Sequence, residues 1–459
     1  MRTLIIGGGI GGLALAFRLL QRGVAPESIT VVEASSRWGG LLQSTRRDGL
    51  LVEHGPDSII RSKPAGVALW RDLGLEDEFV ATEPASRQAL IAKGTRLIPV
   101  PEGLYLLAPG KIWPFLTSPL LSWPGKLRAG LDLVLPRRAA DAAEESLGQF
   151  VRRRFGRELF ERIAQPMVSG IYTADPERLS VAAAMPQFIE WEREHRSLIL
   201  AARARTRDQA ASGPRYGLFV SLRDGLHRCV ERLLERLAGV DLRLNTPVRE
   251  LTRTTDGWQA TSDTITLAGD RLAIAGPAHL AATLVRKTDA VLADELAGIP
   301  YAGAAILNLS FASDQLPALP VAAGFVVPAI EKRTILATTF MSVKYAGRAP
   351  AGTHLLRVFL GGAGNEAVLD LPDGELIRRA CGDLRDLIGL RGEPLLAQVD
   401  RWPRSMAQFH LGHRAKVTRI RARESALSQF GLLGNGYEGV GIPDVIAQAD
   451  TLASRWNPR

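Results

Sequence analysis

The stretch LIIGGGIGGLALAFRLLQRG at 4–23, followed by ITVVEASSRWGG at 29–40, decides the fold. Residues 4–6 form a short apolar run that reads as a buried parallel strand. It enters Gly7-x-Gly9-x-x-Gly12, with Gly8, Ile10 and Gly11 between, and an apolar helix over 13–20 follows. A second apolar run at 29–32 ends on Glu33. Glycines let the backbone turn tightly and approach a pyrophosphate at a helix N-terminus. Glu33 lies 21 residues beyond Gly12, where an acid accepts hydrogen bonds from ribose hydroxyls. The glycine spacing alone is a weak signal, because Gly434-x-Gly436-x-x-Gly439 matches it too. Too little chain follows that second match for another strand–helix–strand unit. The flanking strand, helix and acid make the first match a dinucleotide site.

Arg37, Gly39 and Gly40 choose between dinucleotides. After Glu33 and Ala34 they put a cation and a flexible backbone just past the ribose-binding acid. Such groups meet the ribityl chain and second half of the pyrophosphate, which a flavin has and a nicotinamide lacks. With this double-glycine extension the sequence resembles the FAD-containing amine oxidase superfamily, which implies non-covalent FAD.

At 459 residues, two or three domains are expected. A hydrophobic content of 46% and a mean hydropathy near zero indicate a globular protein. The first strand begins within a few residues of Met1, so no signal peptide is expected. No run of eighteen apolar residues is present, so no transmembrane helix is expected. Cys229 and Cys381 stand far apart in helical-looking segments and indicate a reducing cytoplasm, with neither a metal nor a covalent flavin site. The net charge of +9 fits an acidic substrate or an anionic membrane surface. It does not favour nucleic acid, because the arginines are scattered; Arg152–Arg154 and Arg419, Arg421 and Arg423 read as solvated faces.

The superfamily resemblance implies an α/β fold with a discontinuous Rossmann-type FAD-binding domain. That domain is expected at 1–85, 213–284 and 421–459. A helical, membrane-associating domain is expected at 86–212 and a mixed β-sheet substrate domain at 285–420. Gly55 and Pro56 end a strand at 50–53, and the family sets the equivalent loop, here with Asp57 and Ser58, against the isoalloxazine. Leu147, Phe150, Val151, Phe155, Leu159, Phe160 and Ile163 recur at helical spacing, with Ser146 as a candidate cap. RLNTPVRELTR at 243–253 reads as a strand leading to Val248, whose backbone suits an adenine edge. A buried strand then ends at Gly276. Near the C-terminus, Val440, Gly441 and Ile442 precede Pro443, where a helix is expected to begin. Its exposed N–H groups and partial positive charge suit the flavin pyrimidine ring.

Within the superfamily the chain is most similar to the oxygen-dependent protoporphyrinogen oxidase family. VEHGPDSI at 52–59, KLRAGLDL at 126–133, PMVSGIYTADPERLSV at 166–181, EREHRSLI at 192–199, GHR at 412–414 and GNGYEGVGIPDVI at 434–446 carry the resemblance. It implies oxidation of protoporphyrinogen IX to protoporphyrin IX in heme biosynthesis, with dioxygen as acceptor and release of hydrogen peroxide. Coproporphyrinogen III oxidation is the nearest alternative, for which four propionates in place of two ask for more cations. Arg87 matches a family arginine that pairs with a propionate, and a guanidinium holds a carboxylate bidentately. Gln88 departs from the aromatic usual after it. Gly170, Val326, Thr339 and Phe359 match positions around the macrocycle, with Thr339 less apolar than the family norm. No side chain stands out as a general base.

An amine oxidase would carry a lysine on the strand that reads AAILN at 304–308, although Tyr437 lies near a position aromatic in those enzymes. A non-catalytic porphyrin carrier is the remaining alternative, disfavoured by intact cofactor motifs. His410 and His413 lack a third ligand at a telling spacing and read as structural. Residues 103–135 mix apolar runs with Trp113, Trp123, Lys111 and Lys126, as peripheral contact with the inner face of the cell membrane requires. A lid packed on the core is the equal alternative. Product transfer to a chelatase is a further expectation of the family.

Overall fold

The structure is a computed structural model that describes residues 1–105, 107–139, 141–208, 219–316 and 319–457. The expected boundary at 212/213 lies outside the described residues. A five-stranded parallel sheet runs in the order Asp241–Arg243, Ile29–Val32, Thr3–Ile6, Arg271–Ala275, Phe430–Leu433. Both faces are covered, which is why these strands are continuously apolar. Helices Ile10–Gln21, His227–Arg236 and Ile442–Trp456 pack on one side. Helix Ala278–Val285 and a three-stranded antiparallel sheet over 248–269 cover the other.

The single strand expected across 243–253 is two strands. Asp241–Arg243 joins the parallel sheet and Val248–Thr254 the antiparallel one. Asn245 takes a left-handed φ of 51° between them, and Pro247 has no N–H to give a ladder, so the chain turns there.

A second sheet has seven strands in the order Leu396–Ala407, Tyr301–Ala312, Thr353–Gly361, Ala337–Phe340, Gly324–Val326, Ala89–Lys93, Arg96–Pro99. Residues 89–99, expected with the helical segment, are therefore a hairpin on the sheet edge. Gly94, at φ 63°, closes it, and Ala89–Lys93 pairs in parallel with Gly324–Val326. One face of this sheet packs on helix Asp373–Ile388 through Leu307, Phe325, Phe340 and Val358. The opposite face meets the helical segment.

That segment is broken more often than its periodicity implies. Leu147–Phe155 ends at Gly156, whose φ of 91° suits glycine alone, and a π-helical turn at Phe160–Ala164 leads into Gln165–Tyr172. Ser146 caps the first helix: its Oγ accepts from Gln149 N–H at 3.2 Å, and Gln149 returns the bond to Ser146 N–H at 3.0 Å. The expectation of a solvated Arg152–Arg154 face fails. Arg154 is wholly buried, donating to Asp132 Oδ1 at 2.6 Å and to the Arg196 carbonyl at 2.8 Å. Asp132 also accepts from Ser197 Oγ at 2.6 Å and Ile199 N–H at 3.0 Å. Arg153 bridges Glu145 and Glu192. Arg152 pairs with Glu177, while Arg153 and Arg154 share Glu192 and add Glu145 and Asp132, acids on other elements that a one-dimensional charge run does not reveal.

Removing one partner of a buried ion pair leaves the other uncompensated. Asp132→Ala should therefore cost about 3–5 kcal/mol in chemical denaturation. Arg157→Ala, at a side chain 82% exposed, should change stability by less than about 0.5 kcal/mol.

Candidate cofactor and substrate site

The loop after Thr3–Ile6 is shaped by close backbone approach. A Cβ on Gly7 or on Gly12 would strike the carbonyl of Ala275 or of Gly7 respectively. Gly9, the cap of helix Ile10–Gln21, has no side chain to satisfy the first N–H groups, which stay available to an anion. Gly39 N–H donates to the Gly8 carbonyl at 2.8 Å, and Gly9 and Gly39 form a parallel bridge. The expected double-glycine extension is thus folded against the first glycine turn, with Gly39 and Gly40 at φ 98° and 58°.

Glu33 lies at the end of Ile29–Val32. Its Oε2 accepts from Gly8 N–H and its Oε1 from Ser35 N–H, both at 2.8 Å. Each oxygen retains a lone pair for a hydroxyl. Ala34 is exposed in the turn beside it. The Glu33 carbonyl accepts from Thr246 N–H at 2.9 Å, which brings the start of Val248–Thr254 next to the acid. Arg37 Nη2 donates to the Gly40 carbonyl at 2.7 Å, while its buried Nη1 has no partner. A buried guanidinium N–H without an acceptor is costly, and a phosphate oxygen satisfies it. The cradle fits a dinucleotide.

The chain's far end closes the cradle. Gly276 N–H donates to the Leu433 carbonyl at 2.9 Å. A Cβ on Gly11 would lie 2.9 Å from Val445 Cγ1, so the C-terminal helix packs directly on the first. That helix begins at Ile442 with Gly441 as its cap, and Val440 and Ile442 pack into different cores. Asp444 accepts from Gly441 N–H at 3.1 Å and pairs with Lys63 at 2.7 Å.

Opposite the helical segment lies a partly exposed floor. Strand pairing aligns Val326 with Ala337, Ala337 with Phe359 and Thr339 with Arg357, so all five share one face. In their strands Val326, Thr339 and Phe359 are partly exposed while Phe325, Thr338 and Val358 are buried. Gly170, exposed on helix Gln165–Tyr172, faces them: a Cβ there would lie 3.1 Å from Val326 Cγ1. Arg87 follows a 3-10 turn at Pro84–Ser86 and lies two residues before strand Ala89–Lys93, with a buried, unpartnered Nε. The structure thus brings the five expected substrate residues to one face and its edge.

The Gly55–Ser58 loop borders the same face. Gly55 can take no side chain, since a Cβ would strike the Leu41 carbonyl, and its own carbonyl accepts from Arg357. Ser58 Oγ donates to Asp57 Oδ1 at 2.6 Å; Lys344 Nζ and Arg357 Nη1 reach Oδ2 at 3.2 and 3.0 Å. Burial alone would raise the Asp57 pKa, but the two cations outweigh it and hold the carboxyl well below its ordinary range. Arg357, Lys344 and the buried Arg348 were not among the expected site residues. A signal was present: an arginine inside the apolar strand sequence THLLRVFLG is seldom buried without a purpose.

Tyr437 is buried, with Arg421 4.8 Å from its ring, in the cluster behind the parallel sheet and off the floor. His413 stacks on Phe409 at 4.0 Å, and its Nε2 bonds the Tyr437 carbonyl at 3.0 Å. Among the described residues no cluster of three or more His, Cys, Asp or Glu could hold a metal. Lys126, expected at the surface, is buried and donates to the Leu116 carbonyl at 2.7 Å, with its ammonium 4.7 Å from the ring centroid of the exposed Trp123.

A parallel sheet with a glycine cradle, joined to a second sheet whose open face borders that cradle, defines an FAD-dependent oxidoreductase. The model of the flavin containing amine oxidoreductases matches residues 10–453, and the chain belongs to this family, in the branch that holds coproporphyrinogen III and protoporphyrinogen oxidases. It is 35% identical to a Bacillus subtilis (strain 168) protein named coproporphyrinogen III oxidase, over 98% of this chain and 97% of that one. It is 29% identical to a chloroplastic protoporphyrinogen oxidase of Nicotiana tabacum, over 98% of this chain and 84% of that one. A solved structure from Exiguobacterium sp. 255-15 superposes with a TM-score of 0.89 at 29% identity, covering 100% of this chain and 98% of that one.

Hydrogen bonds to a charged acceptor contribute about 1.5–3 kcal/mol, so Glu33→Ala should raise the FAD dissociation constant roughly 10- to 100-fold in fluorescence titration of the apoprotein.

Proposed function

We propose that the protein oxidises a porphyrinogen to the porphyrin in heme biosynthesis. The overall change removes six hydrogens from the tetrapyrrole and reduces three dioxygen to three hydrogen peroxide. The observation that carries this reading is the open sheet face, where Val326, Thr339 and Phe359 lie under Gly170 with Arg87 at the edge. A wide, mostly apolar floor with a cation at its rim suits a flat ring bearing carboxylates.

Bound FAD would supply a two-electron acceptor for each of three hydride removals, the fourth bridge being converted by tautomerisation. Glu33, Arg37 and the Gly7–Gly12 and Gly39–Gly40 turns hold its ribose and pyrophosphate, Val248 its adenine edge, and Gly276, Val440, Gly441 and Ile442 its remaining length. Arg87 binds a propionate and fixes which bridge lies over the flavin. Phe359 stacks on a pyrrole, and Gly170 leaves room for the ring to slide in. In this reading 1–85, 219–284 and 421–457 serve the cofactor, while 89–99 joins 285–420 as the substrate sheet.

Coproporphyrinogen III is the favoured substrate. The chain is nearer to the Bacillus subtilis coproporphyrinogen III oxidase than to the tobacco protoporphyrinogen oxidase, in identity and in shared length. Protoporphyrinogen IX is the second reading, favoured by the floor: Arg357 is already engaged by Asp57 and the Gly55 carbonyl, which leaves Arg87 with its unpartnered Nε for a carboxylate. Anaerobic bleaching of the bound FAD decides between them. Coproporphyrinogen III should bleach it faster, and faster bleaching by protoporphyrinogen IX would reverse the order. Bleaching by simple amines alone would return the chain to amine chemistry, and no bleaching would favour a carrier. Arg87→Ala should raise KM about 10-fold or more while FAD content stays unchanged. Unaltered kinetics would remove the propionate role.

A cytoplasmic protein in peripheral contact with the membrane accords with an exposed apolar patch. Trp113, Trp123, Leu127 and Val134 are 75%, 65%, 71% and 68% exposed on neighbouring short helices and turns. No described helix is long and apolar enough to cross a membrane. Product would pass from there to a chelatase. Replacing Trp113 and Trp123 with Ser should abolish cosedimentation with anionic vesicles and leave turnover of dissolved substrate intact; unchanged cosedimentation would rule out this patch.

A further inference from the structure

A second cavity, of about 400 Å³, opens at the seam between the two sheets, apart from the cofactor cradle and the substrate floor. We infer that it binds a small organic monocarboxylate, gripped by the Arg404 guanidinium with the His279 imidazole beside it.

Both halves of the molecule contribute walls. His279, Ala282, Thr283 and Arg286 follow one face of helix Ala278–Val285 to its end, at the three- and four-residue spacing that aligns helical side chains. Ala297 comes from the end of helix Ala290–Ala297, and Arg404 from Leu396–Ala407, the edge strand of the seven-stranded sheet.

A bulge puts Arg404 there. Ala302 pairs with Met406 and Ala304 with Trp402, so residues 403–405 stand opposite Gly303 alone. Within the bulge Arg404 takes a φ of 50°, a left-handed conformation that an arginine adopts only at a cost. The bulge is pinned from two sides. Ser405 Oγ donates to the Trp402 carbonyl at 3.0 Å, and Asn435 Nδ2 donates to the Ser405 carbonyl at 2.7 Å. A fixed, strained backbone thus aims one side chain, which is what bulges do beside binding sites.

The charge of Arg404 is uncommitted. Among the described residues its guanidinium makes no hydrogen bond or ion pair, whereas Arg286 pairs with Asp294, Arg401 with Asp373 and Arg419 with Glu295. His279 packs edge-on against Tyr301 at 5.0 Å, and its buried Nδ1 has no partner. Burial and the Arg404 charge lower the His279 pKa, so the imidazole is neutral at neutral pH. Tyr301 is neutral as well, its pKa pushed up to about 12.

With Arg286 cancelled by Asp294, the lining carries one net positive charge. That charge suits a carboxylate and leaves the second charge of a phosphate unmatched. A guanidinium holds a carboxylate bidentately, and a neutral imidazole has one N–H to add. Ala282 and Ala297 offer the organic body an apolar wall. The bound acid would touch the substrate sheet through Arg404. Through His279 it would touch the helix that starts two residues after Gly276, so occupancy fastens the two sheets together.

The test is equilibrium dialysis of the FAD-loaded protein against radiolabelled benzoate at constant ionic strength. One equivalent should bind with a dissociation constant of about 1 mM, as for one charge-assisted contact in an open site. Arg404→Asn should bind benzoate at least about 10-fold more weakly. Its FAD content and melting temperature should match wild type, because asparagine tolerates the left-handed bulge conformation. Phosphate should not displace the label. No saturable binding, or equal binding by Arg404→Asn, would overturn the site; displacement by phosphate as effective as by unlabelled benzoate would overturn the monocarboxylate assignment. Porphyrinogen turnover plays no part in the measurement, so failure here leaves the functional reading untouched.

Discussion

Everything in this molecule depends on how closely three stretches of backbone approach at Gly7, Gly11 and Gly12. Gly7 lies against the Ala275 carbonyl, Gly12 against Gly7 and Gly11 against Val445. These contacts join the first strand, a strand from the middle of the chain and the C-terminal helix. A methyl group on Gly7 would strike the strand at Ala275, one on Gly12 the glycine turn itself, and one on Gly11 the Val445 side chain of the C-terminal helix. The requirement also explains the discontinuous architecture. A cofactor as long as FAD needs backbone donors from several directions, and the parallel sheet gathers them at the carboxyl ends of its strands.

The parts of this design that are local in sequence were legible there. The strand, glycine turn, helix and acid at 4–33 carry their own geometry, as do the Ser146 capping box and the Pro443 helix start. What was not legible depends on partners distant in sequence. Arg154 looks like its neighbours Arg152 and Arg153, and only the arrival of Asp132 and the Arg196 carbonyl makes it a core residue. Residues 89–99 are too short a hairpin to declare their sheet, which is chosen by Gly324–Val326 more than 200 residues later. The turn at Asn245 and Pro247 was written in the sequence, in a residue that tolerates a left-handed φ and one that has no N–H for a ladder. Val326, Thr339 and Phe359 were named through family likeness, and strand register gives a physical reason for their grouping: alternate side chains share a face.

The seven-stranded sheet divides two incompatible environments. Its inner face packs on helix Asp373–Ile388 and is closed apolar core. Its outer face carries Asn308, Arg357 and Thr339 among apolar residues. A polar row on a sheet face reads as solvent-facing in most antiparallel sheets, yet Asn308 and Arg357 are 0% and 1% exposed. They are covered by the Glu53–Ser58 segment: the Glu53 carbonyl accepts from Asn308 Nδ2 at 3.1 Å, and the Gly55 carbonyl from Arg357. The polar side chains therefore serve as hydrogen-bond partners for the end of strand Leu50–Glu53 and for the unpaired loop that follows it at 55–58.

Burying that many charges beside one loop is costly, and a cheaper way to fasten it exists. Two apolar contacts and one neutral hydrogen bond would hold Gly55–Ser58 at a lower desolvation penalty, since well-packed apolar replacements of buried ion pairs are often neutral or stabilising. Lys344, Arg348 and Arg357 carry three positive charges against two negative ones on Glu53 and Asp57. Burial raises the Glu53 pKa, against the pull of Ser44 and the arginines, so its charge is the less secure of the two. Asp57 is held ionised by Lys344 and Arg357. Arg348 and Arg357 thus act on both carboxylates, and Lys344 on Asp57. The excess positive charge sits where the loop meets the sheet, with Arg357 reaching both the Gly55 carbonyl and the Asp57 carboxylate.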